Sequence, residues 1–174
     1  MLVFTGTAAR NTDRRNGQVC FTVYDDRNTT TLSIERGRAL LVFGDVNDPW
    51  SQRKVEAHRL AHGVDTVQWS PAGPGSLRYG ELVVQIDPDV AQGPPCRPDV
   101  VVLTHDRRWA MDRMAAAWKP STQVVLGPSM PARRRSHVRG WCAAHGVAVH
   151  DVKEQGAYVR TDARGVDTLA PGAR

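Results

Sequence analysis

The sequence predicts an α/β domain: a layered sheet flanked by helices, with an antiparallel meander at its N-terminal side. Three observations carry this expectation. Residues 100–103 form a continuous apolar run and 122–126 end in one, Val124-Val125-Leu126, the composition of strands buried on both faces. Each run is followed by apolar residues at helical spacing, Met111, Met114, Ala115 and Trp118 after the first and Val138, Trp141, Cys142 and His145 after the second. Near the start, Val19, Phe21 and Val23 alternate with Cys20, Thr22 and Tyr24, the period of a half-buried strand.

In chain order, residues 1–17 turn polar after Phe4 and are expected to be a flexible lead. Three strands follow at 18–24, 29–35 and 38–43, the last two turning at Arg36 and Gly37. Asp48 before Pro49 marks a helix start, and Gly63 marks its stop. Residues 64–69 and 81–86 read as strands. Pro- and Gly-rich stretches at 70–80 and 87–98 read as surface loops. From 99 to 160 the pattern becomes a strand–helix–strand–helix–strand unit, closed by 147–149 and 156–160, with a locally parallel sheet. Residues 161–174 are expected to be a flexible tail, leaving 18–160 as a single domain.

With 174 residues the chain is long enough to bury a sizeable core without disulfides or a structural metal. No run approaches the roughly 20 apolar residues of a membrane span, and the first residues are too short an apolar stretch for a signal peptide, so a soluble domain is expected. The formal charge of +5 suits an anionic partner such as nucleic acid, although the arginines are scattered. Cys20, Cys96 and Cys142 are far apart and form no Cys-x-x-Cys pair, which argues against metal ribbons and redox motifs and leaves the compartment open.

Few residues have the spacing of a chemical site. His58 and His62 stand four apart on the first predicted helix, the spacing that puts two imidazoles on one face for a metal. Arg59 occupies the place of a metalloprotease Glu and no third ligand is visible nearby, so favourable contact with the helix dipole is the better reading. Thr104, His105 and Asp106 follow a buried strand, where α/β proteins place their chemistry; Asp45 ends another strand after Gly44, where a simple turn also explains it. Arg107 and Arg108, and Arg133, Arg134 and Arg135, stand at predicted helix entrances and suit phosphate better than the acidic residues usual there. No interleaved aromatic strengthens that reading; Trp50, Trp69, Trp109, Trp118 and Trp141 are read as core or edge packing.

Four stretches, taken in order, resemble the C-terminal region of ComEC-type competence proteins, inner-membrane channels that import transforming DNA. "VYDDRNTTTLSIERGRALLVFGD" is similar to the opening strands and Gly-Asp turn of a metallo-β-lactamase-like domain, and "RPDVVVLTHDRR" to the strand that runs into a Pro-His-His-Gly-Ser loop in active relatives. "WKPSTQVVLGPSM" resembles the following strand, and "WCAAHGVAVHDVKEQGAYV" the closing helix, strand and hairpin. The resemblance covers residues 18–160 and is strongest after 99. It implies a degenerate version of the fold: Asp45 matches a metal-ligating aspartate and His105 the first histidine of a pair, but Asp106 replaces the second. Arg107 and Arg108 stand for the Gly-Ser, and the His-x-His-x-Asp-His cluster is absent, with 69–73 as an alternative position for a displaced ligand loop.

The resemblance implies an accessory domain of a DNA-uptake channel on the periplasmic or extracellular side of the bacterial inner membrane. On this reading the domain contacts DNA through its Arg-bearing loops, without regard to sequence, and needs no cofactor. One alternative is a metal-dependent nuclease that degrades the strand not imported, with Asp45, His105 and Asp106 as ligands or acid–base groups for Zn or Mn. Another is a small α/β binding module unrelated to DNA.

Overall fold

The computed structural model describes residues 18–27, 29–88, 97–105 and 109–162. Within them ten strands form two five-stranded sheets. Sheet A has the order β10-β1-β2-β3-β4, built from β1 (Val19–Val23), β2 (Leu32–Arg36), β3 (Ala39–Phe43), β4 (Thr66–Ser70) and β10 (Tyr158–Asp162). Sheet B has the order β5-β6-β7-β8-β9, built from β5 (Gly75–Tyr79), β6 (Leu82–Ile86), β7 (Val100–Leu103), β8 (Gln123–Leu126) and β9 (Ala148–Asp151). β3 and β4 are parallel, as are β6 through β9; the remaining pairs are antiparallel.

Alternation along the strands explains how the sheets stack. Phe21, Val23, Leu32 and Ile34 of sheet A face Val84, Ile86, Val100, Val102 and Val125 of sheet B in one central core. The opposite face of sheet B, Val101, Leu103, Val124 and Leu126, packs under α2 (Met111–Ala115) and α3 (Ala132–Ala144) through Met111, Met114, Val138 and Cys142. On the far side of sheet A, Leu40 and Val42 meet Val55 of α1 (Pro49–His62). The result is four layers, helix, sheet, sheet and helix, with a fourth short helix, α4 (Val152–Gln155), joining β9 to β10. The predicted α/β layering is therefore present, as two facing sheets.

Helix α1 begins and ends where the sequence places it. Asp48 caps it by accepting from the N–H groups of Trp50 at 3.4 Å and Ser51 at 3.2 Å, and Gly63 ends it with a left-handed φ of 63°.

Two expectations need correction. The closing strand of the 99–160 unit leaves the parallel sheet: β10 pairs antiparallel with β1 in sheet A, so this unit bridges both sheets. The loop expected at 70–80 contains β5, which forms a two-residue hairpin with β6 about Gly80 and Glu81. Leu77 and Tyr79 pack against the central core from that hairpin, an alternation that the neighbouring Pro and Gly residues masked.

Candidate functional site

Parallel strands end together, so the residues after β3, β4, β6, β7 and β8 collect at one edge of the sandwich. They line a cleft of about 710 Å³ whose walls include Asp45, Ser70, Asp87, Thr104, His105 and Ser129, with Thr29 and Thr30 from the approach to β2. This edge is where open α/β sheets place ligands.

Asp87 organises one wall. It is 2% exposed, and its backbone takes a left-handed φ of 43°, unusual for any residue but glycine and best tolerated by Asn and Asp. One carboxylate oxygen accepts from the Thr104 N–H at 2.7 Å; the other accepts from the Thr104 hydroxyl and lies 2.6 Å from His105 Nδ1. His105 is therefore held by its inner nitrogen while its side chain stays 68% exposed to the cleft. A carboxylate that fixes an imidazole in this way sets its tautomer and supports acid–base work or ligation at the other nitrogen.

A chain of hydroxyls continues across the two sheets. Ser129 donates to the Thr104 carbonyl at 2.6 Å, and its Oγ lies 2.6 Å from Thr30 Oγ1. Gly127 permits this approach, because a Cβ there would stand 2.5 Å from Thr30 Oγ1.

The predicted site residues meet different fates. Asp45 and His105 share the cleft, but Asp45 is exposed and its Oδ1 accepts from the Asn47 N–H at 2.8 Å in a local turn. Residues 69–73, the alternative ligand loop, also line the cleft, and they read Trp-Ser-Pro-Ala-Gly. Asp106, Arg107 and Arg108 lie outside the described residues. Of the second arginine group, Arg133 is exposed and Arg134 half-buried, whereas Arg135 turns inward to Asp151 Oδ2 at 3.3 Å and the Met130 carbonyl at 3.3 Å. In the sequence Asp87 reads as the first residue of a loop; its place directly after the mostly apolar strand β6 is the available signal.

A two-metal hydrolytic centre needs ligands from several strand ends aimed at two ions. The described residues of the cleft bring no three such ligand atoms within 4.8 Å of one another. Among the described residues, the one group of three His, Cys, Asp or Glu ligand atoms lying within 4.8 Å of each other is Glu35, His58 and His62, on the outer face of sheet A.

Trp50 departs from the packing role expected of it. It is 44% exposed, with the Arg27 guanidinium 4.4 Å and the Arg53 guanidinium 5.4 Å from its ring centre. The neighbouring Asp48 accepts from Thr29 of the cleft wall at 3.0 Å, so this aromatic and its two cations stand beside the cleft. Lys153 adds a third cation by donating to the Asp26 carbonyl at 3.3 Å and to the Arg27 carbonyl. Trp69 does pack on the outer face of sheet A, and Trp109, Trp118 and Trp141 on that of sheet B. Burial pushes the Cys142 thiol up to about 11, which leaves it protonated and inert at neutral pH.

The molecule is thus a four-layer α/β domain with a polar strand-end cleft and a basic, aromatic flank. No described helix is long and apolar enough to cross a membrane. Its sequence places it in a family: the model for the ComEC C-terminal domain matches residues 21–161, and the chain belongs to that family, which points to a part in DNA uptake. Comparison with curated proteins and with solved structures gives no significant match.

Proposed function

We propose that the chain is a DNA-contacting, catalytically degenerate domain of a ComEC-type uptake system, working beside the membrane channel on the periplasmic or extracellular side. The observation that carries this reading is Trp50 with Arg27 and Arg53 at the edge of the cleft. A nucleic-acid strand offers flat bases and a charged backbone, and an exposed indole with adjacent guanidinium groups addresses both without reading sequence. Arg133 and the formal charge of +5 add phosphate-directed attraction. The two-sheet sandwich and the position of the cleft support a metallo-β-lactamase-like origin, and the ligand-poor loop at 69–73 supports loss of its metal chemistry.

The test is fluorescence anisotropy of a labelled oligonucleotide at increasing salt. Affinity should fall linearly on a log–log plot, and Trp50→Ala should weaken binding by roughly tenfold, since stacking on an aromatic contributes about 1–3 kcal/mol per base. Arg53→Ala should reduce the salt slope. The absence of binding at low salt would leave an α/β module unrelated to DNA as the better reading.

One feature favours a second reading, a nuclease or phosphodiesterase: the Asp87–His105 pair presents an oriented imidazole to the cleft. Asp45 and Asp106 would then complete the site with Zn or Mn. Metal-dependent cleavage of DNA that disappears in His105→Gln would establish it.

A further inference from the structure

The pairing of His58 and His62 on one face of α1 acquires a third member in the folded chain. Glu35, from β2, points outward from sheet A beneath the helix and stands 2.8 Å from His58 Nε2 and 2.8 Å from His62 Nδ1, both through the same oxygen. The two imidazole rings stack with centroids 4.2 Å apart, so the helix has already oriented both towards the carboxylate. His58 and Glu35 are largely covered, with side chains 10% and 9% exposed, whereas His62 is 41% exposed and opens the group to solvent.

We infer that Glu35, His58 and His62 form a site for a divalent transition-metal ion of the zinc type, with water as the fourth ligand, that ties α1 to sheet A. The donor set is that of zinc: two imidazole nitrogens and one carboxylate oxygen. The carboxylate oxygen stands 2.8 Å from each nitrogen and all three atoms lie within 4.8 Å of one another, against roughly 3.3 Å between donors held about 2.0–2.1 Å from a tetrahedral ion. Admission of the ion therefore requires the carboxylate to draw back from each imidazole by about half an ångström, and the half-exposed His62 can supply part of that movement.

The surroundings suit a structural ion. Tyr24 meets the His58 ring edge-on at 5.8 Å and has its hydroxyl 2.9 Å from Ser33 Oγ, which fixes His58 from behind. Cys20 faces Glu35 across β1 and β2, and Leu40 faces it across β3. The carboxylate is thus held on a central strand, apart from the residues that line the cleft.

Untagged, EDTA-treated full chain titrated with zinc by calorimetry, with cobalt(II) absorption as a spectroscopic check, tests the proposal. One equivalent should bind, and at a hundredfold excess of zinc over Kd the melting temperature should rise by roughly 5–10 °C. His62→Gln should weaken binding at least tenfold. His105→Gln should leave it intact. Glu35→Gln should abolish the tetrahedral cobalt bands, and if that variant does not fold, His62→Gln alone decides the outcome. No saturable zinc binding, binding unchanged in His62→Gln, or binding lost in His105→Gln would overturn the assignment.

Discussion

The strand-end cleft and the outer face of sheet A each set imidazole against a buried carboxylate, but they differ in how many side chains converge. In the cleft, Asp87 accepts from a backbone N–H and a hydroxyl while it holds one histidine. On the outer face, a single oxygen of Glu35 meets two histidines and the group opens to solvent through His62. Position in the fold therefore does not decide where ligands gather. The edge at which α/β domains usually work is here organised by hydroxyls and one dyad, and the ligand-rich group lies on a face that ordinarily serves packing.

The comparison predicts unequal roles in stability. Asp87→Ala should be the most damaging change, because it leaves the buried Thr104 N–H without its acceptor, releases His105 and puts alanine in a left-handed conformation. A loss of about 2–4 kcal/mol is expected in urea denaturation, with a smaller loss for Asp87→Asn, which tolerates the backbone. Equal, small losses for both would mean that the dyad is incidental to the cleft. Gly127→Ala comes next, at about 1–3 kcal/mol, because the added methyl drives into Thr30 where the sheets meet at the cleft. Thr30→Ala in the same chain should recover part of that loss; an unchanged double mutant would show that the strain lies elsewhere.

The smallest effect concerns pH and separates the two regions without a truncation. Burial opposes ionisation of Glu35, but the hydrogen bond from His58 and the proximity of both histidines outweigh it and hold its pKa below the ordinary 4.5. A group whose folded pKa is depressed contributes its full stability above the unfolded value and loses it as pH falls through the folded one. Stability of the parent chain should therefore decline as the pH drops below about 4.5, and the decline should be shallower in Glu35→Gln. Parallel acid limbs in the two proteins would remove Glu35 from the account.

Sequence made much of the fold legible, and the reasons are local. The alternation in β1, the Asp-Pro start and Gly stop of α1, and the apolar runs of β7 and β8 are each set by neighbours within a few residues. The return of β10 to β1 is not, since Val19 and Asp162 meet across almost the whole described chain. The sites follow the same rule. His58 and His62 declare themselves by spacing, while Glu35 joins them from 23 and 27 residues away, where the only clue is an acidic residue on the outward face of a strand whose Leu32 and Ile34 point inward. His105 was visible after its strand; its orientation by Asp87 required the parallel pairing of β6 with β7.

The most direct test is anomalous diffraction at the zinc edge from crystals of the full chain grown with zinc. A peak between Glu35, His58 and His62, with none beside His105 and Asp45, is the predicted result. A peak in the strand-end cleft would contradict the account, because it would restore a metal centre at the edge where the described ligands do not converge.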